Sequence, residues 1–262
     1  MKFAILGDIH GNHHALIECM KFVKNIDIDA IIWCGDYVTD FPGSHDVIQI
    51  IKEYSKLYKS YIVSGNRDKN IIEYAAGRKF NIRQRRNIEY TYKTLTEEDI
   101  KWLESLPDIG EVKLDGGNKI YISHKCTYEN IDDCKYKIYG HSHKQCNFIR
   151  DGVKYINPGS VGIPTDGSIG AQFVILEITE KCEKIEQYTV EYDIDKLIYE
   201  LKNASIYNDE VKWGKLLEKE LKTGEDYPLK CIEEYERIRE ENHLVEESIE
   251  AWNVAVQIVL NL

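Results

Sequence analysis

Seven side chains of one chemical kind recur along this sequence: Asp8, His10, Asp36, Asn66, His124, His141 and His143, oxygen and imidazole donors with no thiolate among them. Each stands at the end of a short apolar run, in KFAILGDIHGN, AIIWCGD, YIVSGN, KIYISH and KIYGHSH. His141 and His143 are two residues apart, and such residues of an extended chain point the same way, so both imidazoles can face one point. Ligand-type residues at the ends of five strands are hard to explain by core packing. In an open α/β sheet those ends line a single crevice, where such folds hold their ligands. The donor set suits Mn²⁺, Fe, Zn²⁺, Co²⁺ or Ni²⁺ rather than a soft-metal site. Taken singly, blander roles stay open: Asp8 and Asp36 can cap the helices that follow, and Asn66 can make a turn beside Gly65.

The elements that must position these residues follow from periodicity. Lys2–Leu6 reads as a buried strand stopped by Gly7, and Ala15, Leu16, Cys19, Met20, Val23 and Ile26 recur at helical spacing. Ile28–Cys34 reads as a second strand and Tyr61–Ser64 as a third. Between them Val47–Tyr58 reads as a helix with Val47, Ile48, Ile51, Tyr54 and Leu57 inward. This β-α-β-α-β order implies a parallel sheet with right-handed crossovers. Lys69–Ala76 is a short helix, and Thr96–Leu106 a helix that Thr96 and Asp99 can cap and Pro107 closes. Three hairpins are expected, Glu111–Leu114 with Lys119–Ser123, Asn147–Arg150 with Val153–Asn157, and Phe173–Ile178 with Ile185–Glu191, making the second half mostly antiparallel. From Ile206 onward no strand-like run occurs. Trp213, Leu216, Leu217 and Leu221 form one helical stripe, and Trp252, Val254, Ala255, Ile258 and Val259 an apolar end. The expected organisation is a domain over residues 1–205 and a helical C-terminal extension over 206–262, which could pack on the domain, pair two copies into a homo-oligomer, or cap the active site.

The ordered blocks GDIHGN, GDY, GNRD, SH and GHSH resemble the calcineurin-like metallophosphoesterases, and INPGSVGIPTDG, ending at Gly167, resembles their compact bacterial branch of predicted phosphoesterases. The likeness covers residues 1–192. It implies a four-layered α/β/β/α sandwich holding two divalent or mixed-valence transition-metal ions, manganese favoured. It further implies that Asp8, His10, Asp36 and His143 hold one ion, that Asp36, Asn66, His124 and His141 hold the other, and that Asp36 bridges. A water shared by the ions would then deprotonate near neutral pH and attack phosphorus in line. On the same resemblance Asn66, Arg67 and His124 are the catalytic candidates, and Asn12 and Arg67 the candidates for binding substrate.

One position departs from the better-known branch, where a histidine follows the motif asparagine as proton donor to the leaving group. Here that residue is Arg67, whose guanidinium cannot give up a proton. Either another acid serves, such as His13, His14 or a metal-bound water, or good leaving groups are cleaved faster than alkyl esters. His13 and His14 read rather as solvated or supporting residues, and His45 and His243 as surface residues. The basic residues Arg78, Lys79, Arg83, Arg85 and Arg86 read as a solvated face or, alternatively, as a feature that draws in a polyanion. The expected activity is hydrolysis of a phosphodiester or of a nucleotide phosphoanhydride such as a dinucleoside polyphosphate. A serine/threonine protein phosphatase or a general phosphomonoesterase stands behind it. A non-catalytic scaffold of the same fold is the alternative of another class, disfavoured because all seven ligand positions are filled.

At 262 residues, with 43% hydrophobic and 30% charged, the chain has the composition of a globular protein with one well-buried domain. Its net charge of −11 argues against general nucleic-acid binding. The expected partner is a phosphorylated small molecule or nucleotide. No apolar run approaches the roughly 18 residues needed to span a bilayer. The first residues enter a motif at once, leaving no room for a signal peptide, so the expected location is the cytoplasm. Seven cysteines without a Cys-x-x-Cys spacing read as reduced thiols.

Overall fold

The computed structural model describes residues 1–180, 182–209, 211–244 and 247–261. Residues 210, 245, 246 and 262 of the expected extension lie outside that set. The first half runs β1 (Lys2–Leu6), α1 (His13–Val23), β2 (Ala30–Trp33), α2 (Ser44–Leu57), β3 (Lys59–Ile62), α3 (Asn66–Ala75), α4 (Ile82–Thr94) and α5 (Glu97–Glu104). Then come β4 (Ile109–Lys113), β5 (Lys119–Ser123), β6 (Cys134–Ile138), β7 (Gln145–Arg150), β8 (Val153–Pro158), β9 (Ala171–Ile178) and β10 (Glu183–Val190). Four helices close the chain, α6 (Ile194–Asn203), α7 (Trp213–Thr223), α8 (Tyr227–Glu241) and α9 (Ile249–Leu260).

The architecture is mixed α/β, with two five-stranded sheets ordered β10-β9-β1-β2-β3 and β4-β5-β6-β8-β7. Strands β1, β2 and β3 pair in parallel, Ile5 opposite Ile32 and Ile32 opposite Tyr61, as the alternation of strands and helices requires. Both faces of β1 and β2 are buried, which explains their unbroken apolar runs. Phe3, Ile5, Ile32 and Val63 on one side meet Ile120, Ile122, Tyr136, Ile138 and Ile156 of the second sheet in a dry core between the sheets. The opposite side of the first sheet, with Ala4, Leu6, Ile31 and Trp33, packs on Leu16, Met20, Val47 and Ile51 of α1 and α2.

All three expected hairpins form. The second half is mostly antiparallel as expected, but β6 lies parallel to both β5 and β8, which the sequence did not foretell. Periodicity gives strands but not their direction. Only this direction lets the ends of β5 and β6 open on the same side.

Three details differ from the sequence expectations. Helix α4 was not foreseen, since basic and polar residues fill the first turns of its sequence IRQRRNIEYTYKT and Ile88, Tyr90 and Tyr92 pack inward only in its second half. Leu57, expected inward, is 61% exposed at the last turn of α2. On α9, Trp252, Ala255 and Val256 are buried while Val254 and Ile258 face out.

The C-terminal helices form their own core. Leu197, Ile198 and Leu201 of α6 join Trp213, Leu216, Leu217 and Leu221 of α7, Tyr235 of α8 and Trp252 of α9, with Phe41 and Ile163 contributed by the sandwich. By packing, therefore, α6 belongs with the helices that follow it. Among the described residues no helix is long and apolar enough to cross a membrane. All seven cysteines are free thiols.

Candidate metal centre

Asp8 and His10 follow β1, Asp36 follows β2, Asn66 opens α3 after β3, His124 follows β5, and His141 and His143 follow β6. Five of these, Asp8, His10, Asp36, His141 and His143, hold left-handed φ angles between 51° and 71°. Such a backbone costs a non-glycine residue about 1–3 kcal/mol and persists only where its surroundings over-determine it. Here they do. Asp8 N donates to Gly35 O (3.0 Å), His10 N to Asp36 O (3.0 Å) and Gly140 N to His124 O (3.0 Å), which locks one strand end to the next. His141 N donates to Asp8 Oδ2 (2.8 Å) and Arg67 N to Asp36 Oδ1 (2.7 Å). The buried Asp68 carboxylate accepts from Asp36 N (2.9 Å), Tyr37 N (2.9 Å) and Gly65 N (2.7 Å). A side chain at Gly65 would fall 2.1 Å from Asp36 Oδ1, so this approach needs glycine.

The ligand atoms gather into two groups, Asp8–His10–His143 and Asp36–His124–His141, each with its atoms within 4.8 Å of one another. His10 Nε2 lies 3.0 Å from His143 Nε2, and His124 Nε2 lies 3.2 Å from His141 Nδ1 and 3.0 Å from Asn66 Oδ1. Two facing imidazole nitrogens share one proton at most, whereas a cation accepts both lone pairs. The donors present therefore fit divalent metal ions. Asp36 Oδ2 stands between the groups, 3.8 Å from His10 Nε2 and 3.3 Å from His124 Nε2.

Electrostatics point the same way. Burial pushes the Asp8 carboxyl up to about 7, against the pull of His124. Asp36 is held well below the usual carboxylate range in spite of burial, chiefly by His124, and Asp36 in turn raises His124 to about 9. Burial and the neighbouring His124 lower His141 to about 4, and burial with His10 lowers His143 well below the usual imidazole value. A divalent cation relieves this crowding of buried acids and bases. Two ring orientations are fixed from behind: His10 Nδ1 faces Asp40 Oδ2 at 2.7 Å, and His124 Nδ1 faces Cys34 O at 2.8 Å. A proton held on Nδ1 leaves Nε2 free as a donor to metal.

Asp40 escaped the sequence analysis. Against the effect of burial, Arg67 and the bonds from His10 and Trp213 hold it well below the usual carboxylate range. Its Oδ1 accepts from Asn87 Nδ2 (2.5 Å) and from Trp213 Nε1 (2.9 Å), which ties α4 and α7 to the back of the site. The only sequence signal was its position four residues beyond Asp36.

A cleft of about 220 Å³ opens over the two groups. His10, Asp36, Asn66, Arg67, His141 and His143 line it together with Trp213, Leu217, Glu220, Asp226 and Leu229 of the C-terminal segment. Of the three roles open to the extension, it takes at least that of covering the site. Arg67 lines the cleft, its Nε 3.8 Å from Asp40 Oδ2.

Asn12 does not line the cleft: its Oδ1 caps α1 by accepting from Ala15 N (3.0 Å), and its Nδ2 donates to Gly162 O (2.8 Å) and Tyr192 Oη (3.0 Å). With Asn12 as that cap and Gly43 preceding α2, neither Asp8 nor Asp36 caps a helix. His13 and His14 lie apart from the cleft, beside Glu200, with His14 Nε2 2.9 Å from Glu200 Oε1. His45 is half exposed and meets Asp99 Oδ2 at 2.7 Å, and His243 is exposed. The arginines of the basic stretch are paired, while Arg78 and Lys79 stay exposed. Arg83 lies over the rings of Tyr235 (4.8 Å) and Trp252 (5.6 Å), Arg85 and Arg86 reach Glu89 at 3.6 Å, and Arg78 pairs with Glu73.

Residues 1–181 match the calcineurin-like phosphoesterase superfamily domain. The chain is 30% identical to an uncharacterised protein of Methanocaldococcus jannaschii over 221 residues, 74% of this chain and 88% of that one. A shorter match, 27% identical over 125 residues, covers 47% of this chain and 43% of the symmetrical bis(5'-nucleosyl)-tetraphosphatase of Salmonella paratyphi A. In fold it is similar to a metallophosphoesterase from Sphaerobacter thermophilus, with a TM-score of 0.64, 23% identity, and coverage of 86% of this chain and 100% of that one. A hypothetical protein from Pyrococcus horikoshii superposes with a TM-score of 0.66 at 20% identity, over 84% of this chain and 96% of that one. The chain belongs to the calcineurin-like phosphoesterase superfamily and is a hydrolase, of a family whose chemistry implies divalent metal ions.

Proposed function

We propose that the chain is a dinuclear-metal-dependent phosphoesterase that hydrolyses a phosphodiester or a nucleotide phosphoanhydride. The observation that carries this is Asp36, whose Oδ2 lies within 4 Å of one imidazole from each ligand group. A carboxylate so placed suits two cations at the roughly 3.5–4 Å separation that two-metal sites use. In this reading Asp8, His10, Asp36 and His143 hold one ion, and Asp36, Asn66, His124 and His141 the other. Hard oxygen and imidazole donors favour manganese or a neighbouring first-row ion. When bound, the ions activate the attacking water and offset the charge that develops on the phosphoryl oxygens.

Asn66, Arg67 and His124 carry the rest. The Arg67 guanidinium is a planar fork suited to two phosphoryl oxygens, and Asp40 steadies it from behind. His124, with Nδ1 turned to Cys34 O, keeps Nε2 directed toward Asn66 and Asp36. Similarity to the tetraphosphatase supports a nucleotide-like substrate. The modest cleft of about 220 Å³ disfavours a long polyanion and puts a small diester first.

The test is hydrolysis of bis-p-nitrophenyl phosphate, p-nitrophenyl phosphate and diadenosine tetraphosphate with added Mn²⁺. The diester should be cleaved fastest. Asp36→Asn should lose about 10³-fold or more, since metal charge stabilisation is worth several kcal/mol. Equal rates in parent and variant would place the activity elsewhere, and a parent inert on all three would favour the scaffold alternative.

A further inference from the structure

Ester hydrolysis at this site lacks an evident acid. Arg67 occupies the position of the expected donor and cannot release a proton. His13 and His14 sit with Glu200, away from the cleft. Glu220 does not. Trp213, Leu217 and Glu220 fall at i, i+4 and i+7 of α7, and all three line the same cleft as His10, Asp36 and Arg67. Trp213 is itself fastened to Asp40, which fixes the rotation of the helix. The Glu220 residue is only 3% exposed, yet its Oε2 has no hydrogen-bond partner among the described residues. A buried carboxyl without partners costs the fold free energy, and packing would be served as well by an apolar residue.

We propose that Glu220 is the proton donor to the leaving group. This rests on the phosphoester-hydrolysis reading above and extends it to esters whose alcohols leave poorly. Water adds its oxygen to phosphorus, and the bond from phosphorus to the leaving oxygen breaks with its electron pair remaining on that oxygen. The Glu220 proton goes to it, giving the free alcohol, and the proton shed by the attacking water restores the acid. The charged groups facing Glu220 suit the role. Burial first, then Asp226 and Asp40, raise its carboxyl well above the usual range, while Arg67 pulls the other way and Lys144 acts on Asp226. Burial and these neighbouring acids thus favour the protonated form that a proton donor needs.

The test uses methyl aryl phosphodiesters from the p-nitrophenyl to the unsubstituted phenyl ester, alike in charge and shape but graded in leaving ability, with parent and Glu220→Gln loaded with Mn²⁺. General acid catalysis contributes roughly 10²–10⁴-fold, so the loss on the phenyl ester should exceed the loss on the p-nitrophenyl ester by about 100-fold. Rates of the parent on the phenyl ester should fall as pH rises through the Glu220 ionisation, a limb absent from Glu220→Gln. Independently of activity, the metal-free parent at neutral pH should show the infrared carbonyl band of a protonated buried acid, and Glu220→Gln should lack it. Should Glu220→Gln fold poorly, Glu220→Asp, still an acid, should keep part of the phenyl-ester rate. Equal losses on all esters, or an unchanged infrared band, would overturn the assignment. A parent that cleaves none of the series would instead overturn the phosphoesterase reading, and this one with it.

Discussion

Asp40 aligns the site although it belongs to neither ligand group. It holds the far nitrogen of His10 at 2.7 Å and gathers Asn87, Trp213 and Arg67 around its two oxygens. Removing such a partner behind a ligand costs metal affinity or activity about 10–100-fold, and Asp40→Asn should do so in a Mn²⁺ titration. Its ionisation also has a sign. The folded carboxyl sits below its unfolded value, so its contribution to stability is present above the unfolded pKa and is lost as pH falls through the folded one. Melting of the metal-free chain should therefore show parent and Asp40→Asn converging as the solution is made acid; a gap independent of pH would contradict this. At this scale the sequence was legible where residue type and position coincide, as with His141 and His143 past a strand. It was not legible for Asp40, whose role depends on a histidine thirty positions away, nor for the bond from Asn12 to Gly162, a hundred and fifty positions on.

At the scale of elements, two helices changed meaning once placed. The stripe Trp213, Leu216, Leu217 and Leu221 announced α7 as amphipathic, but no periodicity could say that Glu220, between them, lines a cleft shared with residues far earlier in the chain. Helix α4 gave a weak apolar signal because the few residues that pack inward, Ile88, Tyr90 and Tyr92, lie among polar and cationic contacts: Asn87 to Asp40, and Arg83 over the rings of α8 and α9. Cation–π contacts are worth about 0.5–2 kcal/mol. Replacing Arg83, Arg85 and Arg86 with alanine should thus lower Tm by a few degrees while leaving the ratio of KM for diadenosine tetraphosphate to KM for bis-p-nitrophenyl phosphate unchanged. A selective rise in KM for the tetraphosphate, with no change in Tm, would restore the polyanion-steering role.

At the scale of the whole molecule, the ends of β1, β2, β3, β5 and β6 meet because the strands that carry them run in common directions within each of two facing sheets. The parallel part of the first sheet, β1 to β3, could be read from alternating strands and helices. The direction of β6 and the seat of the C-terminal helices could not, since both depend on contacts between distant segments. The meeting point concentrates buried acids and imidazoles, so ions that bind only the folded chain should stabilise it, by about 2.7 kcal/mol at a hundredfold excess over Kd. Added Mn²⁺ should raise Tm and a chelator should reverse the rise, an effect that Asp36→Asn should largely abolish. Everything proposed for this site depends on two ions sharing Asp36, and equilibrium dialysis against Mn²⁺ measures that directly. The parent should bind about two ions per chain and Asp36→Asn should retain neither tightly. One ion or none in the parent, or two in the variant, would contradict the dinuclear centre.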